Sequence, residues 1–117
     1  MTKIFKHGEI WLANLNPTKG TEPGKTRAVL ILQNQVLLDI HHPSTLILPL
    51  TTQLIDNAEP LRYRILAQEK LKNDSDLLID QLRAIDNLRL IDGPLMRCDT
   101  IALKKIYELI ADVMGMH

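Results

Sequence analysis

The apolar pattern of this chain changes period once, and that change limits the folds open to it. Up to Leu90 the apolar residues come in short runs of strand length, broken by Gly, Pro, Asn and Asp. Beyond Asp99 they recur at helical spacing, at Ile101, Leu103, Ile106, Leu109, Ile110 and Val113. Asp99 suits an N-cap and Gly115 a stop, which predicts a helix over about 99–114. Strand candidates are 9–15, 27–33, 45–50, 61–66, 76–79 and 82–90. Residues 34–44 and 51–60 read as loops, the first with room for one helical turn. Pro49 cannot donate to a ladder and suggests an edge or a strand's end. The expected fold is mainly β (α+β): a small twisted sheet or half-open barrel with a helix packed on it.

The chain has 117 residues, enough for one core and one domain, 1–117. It has one Trp, one Phe and two Tyr, so that core must be aliphatic. Fourteen Lys and Arg balance 14 Asp and Glu. Binding nucleic acid by bulk charge is therefore excluded, while a local basic groove is not. Cys98 is the only cysteine, so no intrachain disulfide can form. No signal-peptide pattern opens the sequence and no run reaches membrane-spanning length, so a soluble cytoplasmic protein is expected.

The segment Lys19-Gly-Thr-Glu-Pro-Gly-Lys-Thr-Arg27 packs three cations, a carboxylate and two glycines between two apolar runs, and suits an anion. It is not a nucleotide P-loop. Gly20 and Gly24 enclose three residues where that motif needs four, and a strand rather than a helix is expected to follow. No metal site is apparent, because His41 and His42 are adjacent and point apart, and Cys98 has no partner at ligand spacing. No nucleophile-elbow pattern marks a Ser–His–Asp triad, and Ser75 reads as turn chemistry. The cations Lys19, Lys25, Arg27, Arg62, Arg64, Arg83 and Arg89 form either a solvated charged face or a groove for a phosphodiester backbone. Thr51, Thr52 and Gln53 would add donors from a strand end. On the groove reading Asp74, Asp76, Asp80, Asp86 and Asp92 lie elsewhere.

Four blocks carry a family resemblance. Gly8-Glu-Ile-Trp-Leu-Ala-Asn-Leu-Asn-Pro-Thr-Lys-Gly-Thr-Glu22, Arg27-Ala-Val-Leu-Ile-Leu-Gln-Asn34, Leu50-Thr-Thr-Gln53 and the stretch from Asp74 to Leu90 resemble, in order and spacing, the MazF/PemK/Kid-like toxins of type II toxin–antitoxin systems. One departure is Ala28, where the family usually has Pro; it leaves Arg27 in place. The resemblance implies an SH3-like barrel with a C-terminal helix, acting as a homodimer. It implies a sequence-specific mRNA interferase that cuts single-stranded RNA without metal or other cofactor. The products would be a 2′,3′-cyclic phosphate and a 5′-hydroxyl. It also implies a cognate antitoxin that wraps the dimer and blocks the RNA groove.

By that resemblance Arg27 and Thr51 sit at the two catalytic positions, and Glu22 at an acidic position near them. Arg27 carries a planar fork of donors that fits phosphate oxygens, whereas a pKa above about 12 makes it a poor acid or base. Glu22 is the preferred general base; its plain alternative is a surface carboxylate paired with Lys25. Lys19, Thr21, Lys25, Thr52, Gln53, Gln81 and Arg83 are the expected RNA-binding residues. A second reading keeps the fold and drops the enzyme: a CcdB-like toxin that binds DNA gyrase. Proteins of that kind use a C-terminal Trp-Gly-Ile, whereas this chain ends Met114-Gly-Met-His117 and its one Trp is Trp11. A plain SH3-like interaction module would need an aromatic groove that the composition does not supply.

Overall fold

A computed structural model describes residues 3–16, 20–21 and 25–116. Seven strands form one antiparallel sheet among these residues: β1 (Glu9–Asn14), β2 (Thr26–Ile31), β3 (Ser44–Thr51), β4 (Arg62–Ile65), β5 (Ser75–Leu78), β6 (Arg83–Asp86) and β7 (Leu90–Arg97). A short helix α1 (Gln35–Asp39) follows β2, and α2 (Thr100–Met114) ends the chain. The strand order is β4-β5-β3-β2-β1-β7, with β6 also on β3. The ends β4 and β7 are not paired with each other, so the sheet stays open.

β3 is the strand on which this order turns. It pairs β2 on one flank; on the other, Ser44–Ile47 pair β6 and Leu50–Thr51 pair β5. Pro49 is therefore buried in a central strand and not at an edge. It is tolerated because it falls at the changeover, between Ile47, the last residue paired to β6, and Leu50, the first paired to β5.

Both faces of the central strands are covered, which is why β1, β2 and β3 read as continuous apolar runs rather than alternating ones. Ile10, Leu30 and Leu48 pack with Leu77, Ile106 and Leu109 in one cluster. Trp11, Val29 and Ile47 pack with Leu38 of α1 and Leu90 in the other. α2 forms where the period predicted. The Asp99 carboxylate accepts from the Ala102 amide at 2.8 Å, and Gly115 stops the helix with φ +71°. Its buried face is Ile106 and Leu109, while Ile101 is 81% exposed. His7 Nδ1 meets the Gln33 carbonyl at 2.9 Å and must donate there, so Nε2 accepts from the Tyr107 hydroxyl of α2.

Strand β7 has no clear period in the sequence, because Asp92-Gly-Pro94 interrupts it. It forms by pairing with β1 through bulged register, and Gly93 is what lets it approach. A Cβ on Gly93 would lie 2.5 Å from Trp11 Cδ2. Trp11 cannot easily give way. It is 5% exposed, meets Phe5 edge-on at 4.9 Å, and donates from Nε1 to Glu9 Oε1 at 3.1 Å. Gly93→Ala should therefore overpack this layer and cost about 2 kcal/mol, read as a lower urea midpoint at unchanged slope. An unchanged midpoint would show that β7 shifts freely.

Candidate active site

Antiparallel pairing puts the start of β2 beside the end of β3. The observed register is Val29↔Pro49; continued by two residues it sets Arg27 across from Thr51. Arg27 is half-buried, and its Nη1 donates to the Leu50 carbonyl at 3.4 Å. Thr51, 8% exposed, accepts the Gln53 amide on its hydroxyl oxygen at 3.2 Å. That leaves the hydroxyl hydrogen available to a ligand. Both residues line an open cleft of about 420 Å³. Lys25 and Thr52 line it too, with Leu12, Leu50 and Leu95 as its apolar wall.

The opposite wall is the β4–β5 connection, which supplies Lys70, Leu71, Lys72 and Asn73. None of these was among the expected RNA-binding residues. Their signal was present as Lys70-Leu-Lys72, one apolar residue between two cations ahead of a turn. Leu71 is 6% exposed and anchors the segment in the core, which sets both flanking lysines at the surface. Of the remaining expected residues, Gln53 bonds through its backbone amide and carbonyl and does not line the cleft. Thr21 is exposed and is not among the lining residues. Gln81, in a 3-10 turn (Ile79–Gln81), and Arg83, opposite Ile47 in β6, are likewise outside the lining. Lys19 and Glu22 lie outside the described residues.

The neck of the loop between β1 and β2 is tied. Leu15 donates to the Lys25 carbonyl at 2.8 Å, and the Lys25 amide donates to Asn16 Oδ1 at 2.7 Å. Arg89 donates to the carbonyls of Asn14 and Asn16. Arg89 thus closes the loop rather than facing a phosphate. Arg62 and Arg64 are committed elsewhere as well. Arg64 Nε meets Asp76 Oδ1 at 2.6 Å, and Arg62 Nη1 meets Asp76 Oδ2 at 3.2 Å. Asp76 is a strand residue, not part of a turn, and is 1% exposed. Ser75 beside it is also in β5 and donates to the Asn73 carbonyl at 3.0 Å.

Cys98 is buried, and burial together with the Asp99 charge pushes its thiol up to about 11. It is no thiolate nucleophile at neutral pH. Among the described residues no group of three or more His, Cys, Asp or Glu could hold a metal ion, and no helix is long and apolar enough to cross a membrane.

The fold and this cleft define a small open-sheet protein with a cation-lined cleft at the ends of two central strands. Residues 6–114 match the family of PemK-like, MazF-like toxins of type II toxin–antitoxin systems, and the chain belongs to that family. Endoribonuclease EndoA of Bacillus subtilis is 33% identical over 90 residues, which cover 76% of this chain and 77% of that one. Endoribonuclease MazF of Staphylococcus saprophyticus is 28% identical over 115 residues, 97% of this chain and 94% of that one. The crystal structure of MazF from Deinococcus radiodurans matches with TM-score 0.81 at 18% identity, covering 98% of this chain and 100% of that one. A mycobacterial endoribonuclease solved with its cognate antitoxin matches with TM-score 0.72 at 16% identity, covering 99% of this chain and 98% of that one.

Burial alone would raise the Asp76 carboxyl, but hydrogen bonds from Arg64, the Ile55 amide and Arg62 outweigh it and hold it below the usual range. A depressed carboxyl adds stability above its unfolded value of about 3.9, and that stability is lost as pH falls through the folded value. Asp76→Asn should therefore cost about 3 kcal/mol at pH 7 and less at pH 3, by urea unfolding at each pH. An equal gap at both would mean that the charge is not its source.

Proposed function

We propose that this protein is an endoribonuclease toxin that cuts single-stranded mRNA at a short sequence and is neutralised by a cognate antitoxin. The observation that carries the reading is the meeting of Arg27 and Thr51 in one cleft whose far wall holds Lys70 and Lys72. Family membership and relatives named endoribonuclease support the same activity.

The chemistry is transesterification by the ribose 2′-hydroxyl. Its oxygen forms a bond to phosphorus, the bond from phosphorus to the 5′-oxygen breaks, and a 2′,3′-cyclic phosphate and a 5′-hydroxyl result. Arg27 holds the non-bridging oxygens and meets the charge that grows on them. Thr51 donates its hydroxyl to the same phosphate. Glu22 takes the 2′-hydroxyl proton. The cleft is open to water, which supplies the proton for the departing oxygen, and Lys25 offsets the charge developing there. Metal is not needed in this scheme, because every charge that forms has a cation of the chain beside it.

The protein acts as a cytoplasmic homodimer. α1 leaves Val36 and Ile40 66% and 67% exposed, and α2 leaves Ile101 81% exposed, apolar surface of the kind that partner chains cover. The gyrase-binding alternative loses its handle, because Trp11 is buried under Phe5 and against Gly93.

Purified protein incubated with a long single-stranded RNA in EDTA should give discrete cuts with 5′-hydroxyl ends. Arg27→Ala should lower the rate constant by about 10²- to 10³-fold, and Thr51→Ala by about 10- to 100-fold. Glu22→Gln should remove the acidic limb of the pH–rate profile, the rise in rate as a general-base carboxylate ionises. Intact RNA in the wild-type reaction would sink the proposal.

A further inference from the structure

The catalytic cleft continues past Thr51. Thr52, Lys72 and Asn73 line both it and a second pocket of about 520 Å³, whose other walls are Leu54, Ala67 and Asp74. The two spaces therefore share a wall, and a strand leaving the cleft along that wall enters the second pocket.

The support beneath this pocket is fixed. Gln68 and Leu71 bridge each other through 3.1 Å and 2.9 Å hydrogen bonds, and the Lys70 amide donates to the Leu95 carbonyl of β7 at 2.9 Å. The Ala67 amide donates to Asp74 Oδ1 at 2.7 Å. Glu69 holds the turn with φ +52°, and Leu71 anchors it in the core. The segment is thus tied at its base and its tip, which suits a recognition wall.

Charge orders the two ends of the wall. Lys72 borders both spaces, whereas Asp74 lines only the second. A phosphate is favoured at Lys72 and repelled at Asp74. Between them Leu54, 43% exposed, offers an apolar surface to a base. We propose that this pocket takes the nucleotide next to the scissile one, with its phosphate on Lys72, and that Asp74 selects a base bearing an exocyclic amino group. A carboxylate accepts only, and its two oxygens have capacity beyond the single Ala67 amide. Guanine, cytosine and adenine each present an exocyclic amino donor on their Watson–Crick edges; uracil carries only carbonyls in its place. The inference rests on the RNA-cleaving reading above and adds to it where one flanking base is read.

The test uses a randomised single-stranded RNA pool carrying 2′-O-methyl groups, which cannot be cut because the nucleophile is blocked. Sequences retained by wild type should be enriched in an amino-bearing base at one position. Asp74→Asn keeps an oxygen for the Ala67 amide and adds a donor, so its enrichment should shift by about tenfold toward uracil, the base without an exocyclic amino group. Lys72→Gln should keep the base preference and bind about fivefold more weakly. Its dependence of log affinity on log salt should be shallower by about 0.7. Identical enrichment for wild type and Asp74→Asn would overturn the base selection, and an unchanged salt slope for Lys72→Gln the phosphate contact. If wild type cuts unmodified RNA and both variants match it throughout, cleavage stands and this subsite falls. If wild type retains none of the pool the subsite falls, and if it also leaves unmodified RNA intact both fall.

Discussion

One buried carboxylate organises the cleft end of this molecule. Asp76 lies across the ladder from Thr51 on one side and Arg64 on the other. Directly opposed residues share a face of the sheet, so the charge sits where β3 ends. Its Oδ2 accepts the Ile55 amide at 2.9 Å and Arg62, and Arg62 in turn donates to the Gln53 carbonyl at 2.7 Å. Backbone positions 53 and 55 are thereby pinned, and the Gln53 amide is aimed at the Thr51 hydroxyl. An apolar cluster of equal volume could have been as stable. It could not have fixed the direction of an amide two residues from the proposed catalytic hydroxyl of Thr51.

That clamp works because the sheet behind it is rigid. β1, β2 and β3 are covered on both faces, so their ends cannot move without opening one of two cores. Arg27 and Thr51 are each held in a strand, paired to β1 and β5 respectively, rather than placed by loop conformation. Ala28 pairs with Leu12 in the β1–β2 ladder, which holds the backbone beside Arg27 by hydrogen bonding where the family's usual proline would hold it by its ring. The loop between β1 and β2 is treated differently. Its neck is closed by Leu15, Asn16, Lys25 and Arg89, so whatever it carries is delivered from a fixed base.

What could be read from the sequence follows from how local each signal is. The helix was legible because its cap, period and stop lie within seventeen residues, Asp99 to Gly115. β1 and β2 were legible because double-sided burial leaves an unbroken apolar run. β7 was not, since its formation depends on a glycine facing Trp11 more than eighty positions away. Pro49 misled for a similar reason: local chemistry says edge, and only the topology reveals the gap that admits it. Arg62 and Arg64 shared a face as alternation required, but their counter-charge, Asp76, comes from the next strand. Arg27 and Thr51 came from family likeness. The lysines of the far wall were passed over because a Lys-Leu-Lys triplet looks the same on any surface.

The charge inventory then acquires a consequence. A neutral chain with 14 cations would seem to have many to offer a polyanion. Yet Arg62 and Arg64 are bound to Asp76 and Arg89 to two carbonyls. Among the described residues the cations that line the cleft are Arg27, Lys25, Lys70 and Lys72. A handful of phosphate contacts gives only modest affinity at physiological salt, the same for every sequence. Further affinity has to come from base edges and apolar contact, and those differ between sequences. Aspartates at the margin sharpen the effect, because Asp74 discourages a phosphate where Lys72 has just attracted one. On the proposed reading such a toxin is selective by electrostatic necessity: without the right bases, too few cations hold a strand in the cleft.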